Sequence, residues 1–304
     1  MPHKSLIDLK QNDRFNFELK ALLSDEIEEI GINLFMACEV TQHPYINGNK
    51  FYKLKYNIEE FFRTGAKTVL TFGGAYSNHI AATAAMCHEQ HIESIGIIRG
   101  QELNAESNKT LIMAANHGMQ LIFVNRGEYS RRNDVTYNNE LKNRFENIYI
   151  IPEGGANVMG AKGSSEMVTM LEQKFDTYII PVGTGTTLAG IANELLAQQK
   201  ALGIMVHNGQ KGVEDFLKQL QFQMMKNWGD KIIFSNDYTF GGYGKTTAEL
   251  EKFCHAFYLK YTIKIEPVYT GKMMFAIFDL IKKGFFERGQ KIVCFHTGGL
   301  QYLQ

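Results

Sequence analysis

Thr68-Val69-Leu70-Thr71-Phe72-Gly73-Gly74-Ala75-Tyr76-Ser77-Asn78-His79 runs a short β-branched and aromatic stretch into two glycines, then polar residues that open an alanine-rich segment. The first part reads as a buried strand and the segment from about Asn78 as a helix. The same alternation recurs along the chain. Strands are expected at Ser94–Ile98, Leu121–Val124, Ile148–Ile151, Tyr178–Val182, Gly203–Val206 and Ile292–His296. Helices are expected at Leu111–His117, Asn138–Phe145, Thr187–Gln199, Phe216–Trp228, Leu250–Tyr258 and Met273–Lys283, with a further one striped by Met167, Leu171 and Phe175. Strands interleaved with helices imply mostly parallel sheets flanked by helices on both faces, an α/β fold. No repeat or linker-like tract interrupts the chain, so domain boundaries fall at short connections near residues 50 and 155.

At 304 residues the chain suits two closely packed domains. Lysine plus arginine and aspartate plus glutamate both number 32, and no basic block interleaves with aromatics, so no nucleic-acid partner is expected. Cys38, Cys87, Cys254 and Cys294 are scattered without Cys-x-x-Cys spacing, against a zinc site, any other metal centre or a disulfide framework. Met1 to Phe17 mixes charges without an apolar signal core, and no apolar run approaches membrane-spanning length. A soluble cytoplasmic protein with no membrane partner is expected.

Gly48-Asn49-Lys50-Phe51-Tyr52-Lys53-Leu54 reads as a helix entry, with Asn49 as the expected N-cap and Leu54, Ile58, Phe61 and Phe62 on one face. Lys50 then sits in the first turn, where the helix dipole disfavours a protonated ammonium. An amine so placed is primed to condense with a carbonyl, although a lone lysine is more often a solvated surface residue.

Open α/β sheets bind ligands beyond the carboxyl ends of their strands, which draws attention to three loops. In the first, Gly73-Gly74 allows a sharp turn; Ser77 is either a polar site group or merely an N-cap, and His79 a satisfied helix histidine or a site residue. The second, Pro181-Val182-Gly183-Thr184-Gly185-Thr186-Thr187, is a strand, a glycine-rich turn with hydroxyls and a helix start, the arrangement that holds phosphate on backbone N–H groups. It fits neither Gly-x-x-x-x-Gly-Lys-Ser/Thr nor Gly-x-Gly-x-x-Gly, so a monophosphate is expected rather than ATP or NAD. The third region gathers Tyr243 in Gly241-Gly242-Tyr243-Gly244-Lys245, Tyr269 in Val268-Tyr269-Thr270-Gly271-Lys272, and His296-Thr297-Gly298-Gly299-Leu300. Tyrosines beside glycines can stack on a flat ring or move a proton, or be half-buried hydrophobes. A carbonyl-seeking lysine, a monophosphate cradle and aromatic platforms together point to pyridoxal phosphate (PLP).

From about Asn33 to Leu300 the sequence resembles the fold-type II PLP enzymes that include 1-aminocyclopropane-1-carboxylate deaminase and D-cysteine desulfhydrase. The resemblance implies a two-domain architecture similar to the tryptophan synthase β chain. Residues 1–49 with 156–304 would form the large PLP-binding domain, and 50–155 a small α/β domain. It implies Lys50 as the Schiff-base lysine, Asn78 on the ring hydroxyl, and Gly183, Thr184, Gly185, Thr186 and Thr187 around the phosphate. Ser77, Asn78, His79 and Tyr243 would face the substrate, with Tyr269, Thr270 and Thr297 around the ring. Members are usually homodimers, so a homodimer is expected.

Deaminases of the group carry Glu after the Val-Tyr and Leu after the final His, where this chain has Thr270 and Thr297, similar to the desulfhydrases. A carboxylate at the pyridine nitrogen makes a stronger electron sink than a hydroxyl, and a thiolate leaving group needs less help. The expectation is therefore α,β-elimination, D-cysteine giving pyruvate, ammonia and hydrogen sulfide. Lys50 is the first candidate to take the α-proton and Ser77 the alternative; Tyr243 and Tyr269 are candidates to protonate the leaving group. A deaminase, dehydratase or racemase acting on another small amino acid, and a PLP-binding protein without turnover, are the other readings. The chain departs from the family pattern at Tyr52, usually Arg, and at Ala37-Cys38-Glu39-Val40, usually a charged run.

Overall fold

The computed structural model describes residues 16–40 and 43–299; the expectations for residues 1–15 and for Leu300 lie outside them. The chain opens with β1 (Phe17–Ala21), α1 (Asp25–Ile30) and β2 (Asn33–Glu39). Next come α2 (Asn49–Thr64), β3 (Thr68–Gly74), α3 (Asn78–Glu89), β4 (Glu93–Arg99), α4 (Lys109–Asn116), β5 (Met119–Val124), α5 (Arg126–Ser130), α6 (Val135–Arg144) and β6 (Ile148–Ile151). The rest is α7 (Val158–Thr169), β7 (Thr177–Val182), α8 (Thr186–Glu194), β8 (Lys200–Met205), α9 (Gln210–Gln223), β9 (Ile232–Ser235), α10 (Ala248–Tyr261), α11 (Thr270–Lys282) and β10 (Lys291–Phe295). This is the α/β class expected, with parallel sheets and helices between the strands.

Two compact units result, one comprising His43–Gly163 and the other Ser164 onward together with β1, α1 and β2. In the first, the sheet order is β5-β4-β3-β6 and every pairing is parallel. Such a sheet is buried on both faces, which is why β3 and β4 read as continuous apolar runs. Leu70, Phe72, Ile95 and Ile97 pack with Tyr129 and Tyr137 in one apolar cluster. Ile80 and Ala84 of α3 pack with Leu111 and Ala114 of α4 and with Ile98 in another. In the second unit, the order is β1-β2-β10-β7-β8-β9, parallel except for the antiparallel edge pair β1–β2. The register of β2 on β10 runs from Lys291 opposite Asn33 to Phe295 opposite Ala37. Its core joins Leu34, Met36, Ile179, Leu202 and Ile292 to Met273, Met274 and Ile277 of α11.

Three local expectations are corrected. The helix expected to carry Met167, Leu171 and Phe175 ends at Thr169. Phe175 is instead buried ahead of β7, edge-on to Phe35 and Tyr178 with ring centres 5.7 and 6.0 Å away. A period of four continues past a helix end whenever the following loop also turns inward. On α2, Leu54, Ile58 and Phe61 are buried with Phe51 and Tyr52, but Phe62 is exposed, one step off the stripe. The N-cap of that helix is Gly48 and not Asn49, which is its first residue.

Candidate active site

Within the first unit, Lys50 lies in the opening turn of α2, a turn that holds no acidic residue. It is half-buried, and its ammonium donates to Asn49 Oδ1 at 2.5 Å. Lys53, one turn further along, is buried, and burial together with the neighbouring Lys50 charge holds its amine well below the ordinary lysine pKa. The sequence reading passed over Lys53, although residues three apart share a helix face. Tyr52, where the family pattern has arginine, is fully buried and edge-on to Phe51 at 5.4 Å, so this position serves the interior.

The first loop differs from expectation in how it uses its glycines. Gly73 and Gly74 belong to the end of β3. Glycine at 73 is explained by close approach, because a Cβ there would overlap Ile80 and press on Ser77. Ser77 is the N-cap of α3, its Oγ accepting from Ile80 N–H at 3.3 Å. With a lone pair used in this way, its hydroxyl is better suited to donate than to act as a base. Asn78, half-buried, is the first residue of the helix.

His79 is buried, and its tautomer follows from its neighbours. Thr71 Oγ1 donates to Ile151 O at 2.8 Å, so at His79 Nε2, also 2.8 Å away, it must accept. Nε2 therefore carries the hydrogen and Nδ1 a lone pair, and Nδ1 is buried without a hydrogen-bond partner. Burial, then the charges of Lys50 and Lys53, lower the imidazole pKa to about 3, so the ring is neutral at physiological pH.

Within the second unit, Gly183-Thr184-Gly185 links β7 to α8. Gly185 caps α8 in the left-handed region, φ 88°, where a Cβ would also crowd Val213. The hydroxyls of Thr184 and Thr186 lie 2.9 Å apart, and Thr186 and Thr187 are buried in the first turn. His207, another residue that the sequence reading missed, braces this turn. Its Nδ1 accepts from Gly209 N–H at 2.9 Å, so its Nε2–H donates to Gly183 O at 3.0 Å.

The ring of Tyr269 lies against Gly183, where a Cβ would approach its Cε1 to 3.3 Å. Its hydroxyl is 3.3 Å from that of Tyr243, and the two rings meet edge to face at 5.9 Å. Thr270 opens α11, fully buried, and its Oγ1 has no hydrogen-bond partner. Thr297 is buried beyond β10, next to His296, whose Nε2–H donates to Lys264 O at 2.8 Å. Two buried charges on either side of Thr270 also escaped the sequence reading. Glu266 accepts from the backbone N–H groups of Val268, Tyr269 and Thr270 at 2.7 to 3.1 Å, and the Lys272 ammonium donates to three carbonyls.

Each of these groups, taken by itself, suits a part of PLP. A buried hydroxyl lacking a partner at Thr270 is costly unless a ligand atom satisfies it, and a ring nitrogen can. The helix-capping turn from Gly183 offers backbone N–H groups and hydroxyls to an anion. Lys50 offers the amine for the aldehyde. Among the described residues, no group of three or more histidine, cysteine, aspartate or glutamate side chains could hold a metal, and no helix is long and apolar enough to cross a membrane.

Residues 19–298 match the family described as pyridoxal-phosphate dependent enzyme. A putative 1-aminocyclopropane-1-carboxylate deaminase of Pyrococcus horikoshii is 30% identical over 291 residues, covering 90% of this chain and 86% of its own length. The Arabidopsis thaliana bifunctional D-cysteine desulfhydrase/1-aminocyclopropane-1-carboxylate deaminase, mitochondrial, is 29% identical over 279 residues, 84% of this chain and 69% of that protein. The crystal structure of an ACC deaminase homologue superposes with a TM-score of 0.79 at 26% identity, covering 98% of this chain and 95% of that one.

Proposed function

This chain belongs to the pyridoxal-phosphate dependent enzyme family, and on that premise we propose that it catalyses α,β-elimination on a small amino acid, D-cysteine first. With water, D-cysteine gives pyruvate, ammonia and hydrogen sulfide. The observation that carries this reading is the buried, unpartnered hydroxyl of Thr270, where a deaminase-type chain has a carboxylate. A neutral hydroxyl at a ring nitrogen leaves a weaker electron sink, which suits a substrate whose sulfur departs readily.

Lys50, Asn78, the Gly183–Thr187 turn, Tyr269, Thr270 and Thr297 would hold the cofactor, and Ser77, Asn78, His79 and Tyr243 the substrate. When bound, PLP supplies an aldehyde for amines and a ring that takes up the charge left by a departing Cα proton. The Lys50 amine, in the first turn of α2, takes that proton. Ser77 donates a hydrogen bond to the substrate carboxylate. The Tyr243 and Tyr269 hydroxyls, in contact with each other, deliver a proton to the departing sulfur. Residues 50–155, the small domain in this reading, fall within the compact unit His43–Gly163.

The protein loaded with PLP is to be given D-cysteine, L-cysteine and 1-aminocyclopropane-1-carboxylate, with sulfide and keto acid measured. Sulfide from D- but not L-cysteine is expected, and the visible absorbance of the lysine adduct should vanish in Lys50→Ala. Keto acid from the cyclopropane substrate with no sulfide from D-cysteine overturns the assignment. It would favour deaminase activity, which the names of the Pyrococcus and Arabidopsis relatives support as the second reading. In the double variant Thr270→Glu/Thr297→Leu, activity should shift toward the cyclopropane substrate.

A further inference from the structure

The loop that carries Tyr243 is anchored at its start by Phe240, edge-on to Phe275 at 5.1 Å, but the glycines beyond it add no packing of their own. Phe240, Gly241, Gly242 and Gly244 all have positive φ, between 52° and 120°, and Tyr243 itself is half exposed. Glycines in such conformations carry no Cβ to pack and lose much chain entropy on ordering. The order comes from below. Lys272, in the first turn of α11 and fully buried, donates to Thr239 O at 2.7 Å, Gly242 O at 2.8 Å and Val206 O at 3.1 Å. The first two carbonyls bound the turn before Tyr243, and the third extends β8. Three acceptors use all three hydrogens of an ammonium.

On the other side of the α11 start, Glu266 is also fully buried. Its carboxylate takes the N–H groups of Val268, Tyr269 and Thr270 and fixes the backbone from which the Tyr269 ring projects. The field of Glu266 favours the charged form of Lys272, opposing a burial that lowers its pKa to about 8. Burying two charges is expensive, and apolar side chains of the same volume would pack at less cost. What an apolar pair cannot do is pin six backbone polar groups around one helix start.

We propose that Lys272 and Glu266 are positioning residues for the tyrosine pair. Lys272 clamps the Thr239–Gly244 loop and so places the Tyr243 hydroxyl, while Glu266 sets the Tyr269 backbone, so that the two hydroxyls meet where a proton is delivered. The role of the tyrosines rests on the function proposed above; the clamp itself does not.

The test uses the PLP-loaded protein and the variants Lys272→Met, Tyr243→Phe and their combination. Amide hydrogen exchange across residues 239–245 should accelerate at least tenfold in Lys272→Met, while exchange in β10 and the absorbance of the lysine adduct stay as in the parent. With whichever amino acid is turned over, kcat should fall about 100-fold, the scale of a misplaced catalytic group, with KM little changed. The double variant should be no slower than Tyr243→Phe, because both changes remove the same hydroxyl from its place. Unaltered exchange in 239–245, or rate losses that multiply in the double variant, overturns the proposal. Should Lys272→Met not fold, Lys272→Gln, which keeps two N–H donors, is to be read by the same exchange measurement, with intermediate acceleration expected and none overturning the clamp. The exchange result does not depend on the substrate, so a wrong substrate assignment leaves it standing.

Discussion

An imidazole held with its lone pair facing no donor, as at His79, is a cost the native state carries and the unfolded chain does not. With a native pKa of about 3 against 6.5 for the free side chain, the ring stays neutral in the folded protein while the unfolded chain takes up a proton below 6.5. Protons then favour unfolding, so the contribution of this histidine to stability is complete above 6.5 and is lost as the pH falls toward 3. In the cofactor-free protein, His79→Gln should flatten this loss. Urea midpoints of parent and variant should converge between pH 7.5 and 5, and parallel midpoints would show that the ring titrates freely. Sequence placed Lys50, Ser77, Asn78 and His79 at a helix start or strand end because glycines and hydroxyls next to apolar runs announce such places. Lys53, His207, Glu266 and Lys272 were not legible. His207 and Lys272 act through contacts with backbone distant in sequence, and a lysine in an apolar helix looks the same whether it reaches water or a carbonyl cluster.

Among the elements, α2 and α7 approach so closely that a Cβ on Gly163 would overlap the carbonyl oxygen of Tyr52. Backbone cannot move aside as a flexible side chain can, so the two helices would have to separate. Gly163→Ala should therefore cost more than the usual 1–3 kcal/mol of an overpacked core, and it should displace the helix turn that bears Lys50. Thermal unfolding of the variant, with the rate at which it takes up PLP, measures both; unchanged values for the two would mean that the helices are free to part. The elements themselves were largely legible. The central strands β3, β4, β7 and β10 announce themselves as apolar runs because a parallel sheet is covered on both faces. β1, β2 and β9 were missed: β1 and β9 are short with mixed burial, and β2, Asn33–Glu39, sets its apolar run between polar residues. The glycines of the first loop were read as a turn, whereas close packing against α3 explains Gly73, and such a contact has no signature along the chain.

For the molecule as a whole, Lys50 belongs to one compact unit and the Gly183–Thr187 turn to the other. A ligand that binds the native state and not the unfolded chain stabilises it by about 2.7 kcal/mol at a free concentration a hundredfold above Kd. PLP should raise the melting temperature markedly. Pyridoxal, which has the aldehyde but no phosphate, should raise it much less, and equal shifts for the two would remove the phosphate turn from the site. The α/β class could be read from the alternation of strands and helices. The pairing of β2 with β10 could not, because no local pattern names a partner at the other end of the chain. That pairing has a consequence during synthesis. His43–Gly163 leaves the ribosome with all its strands in hand and can fold as a nascent chain. β2, made before it, must wait with Leu34 and Met36 uncovered until β10 emerges, which makes it a segment for a chaperone to hold.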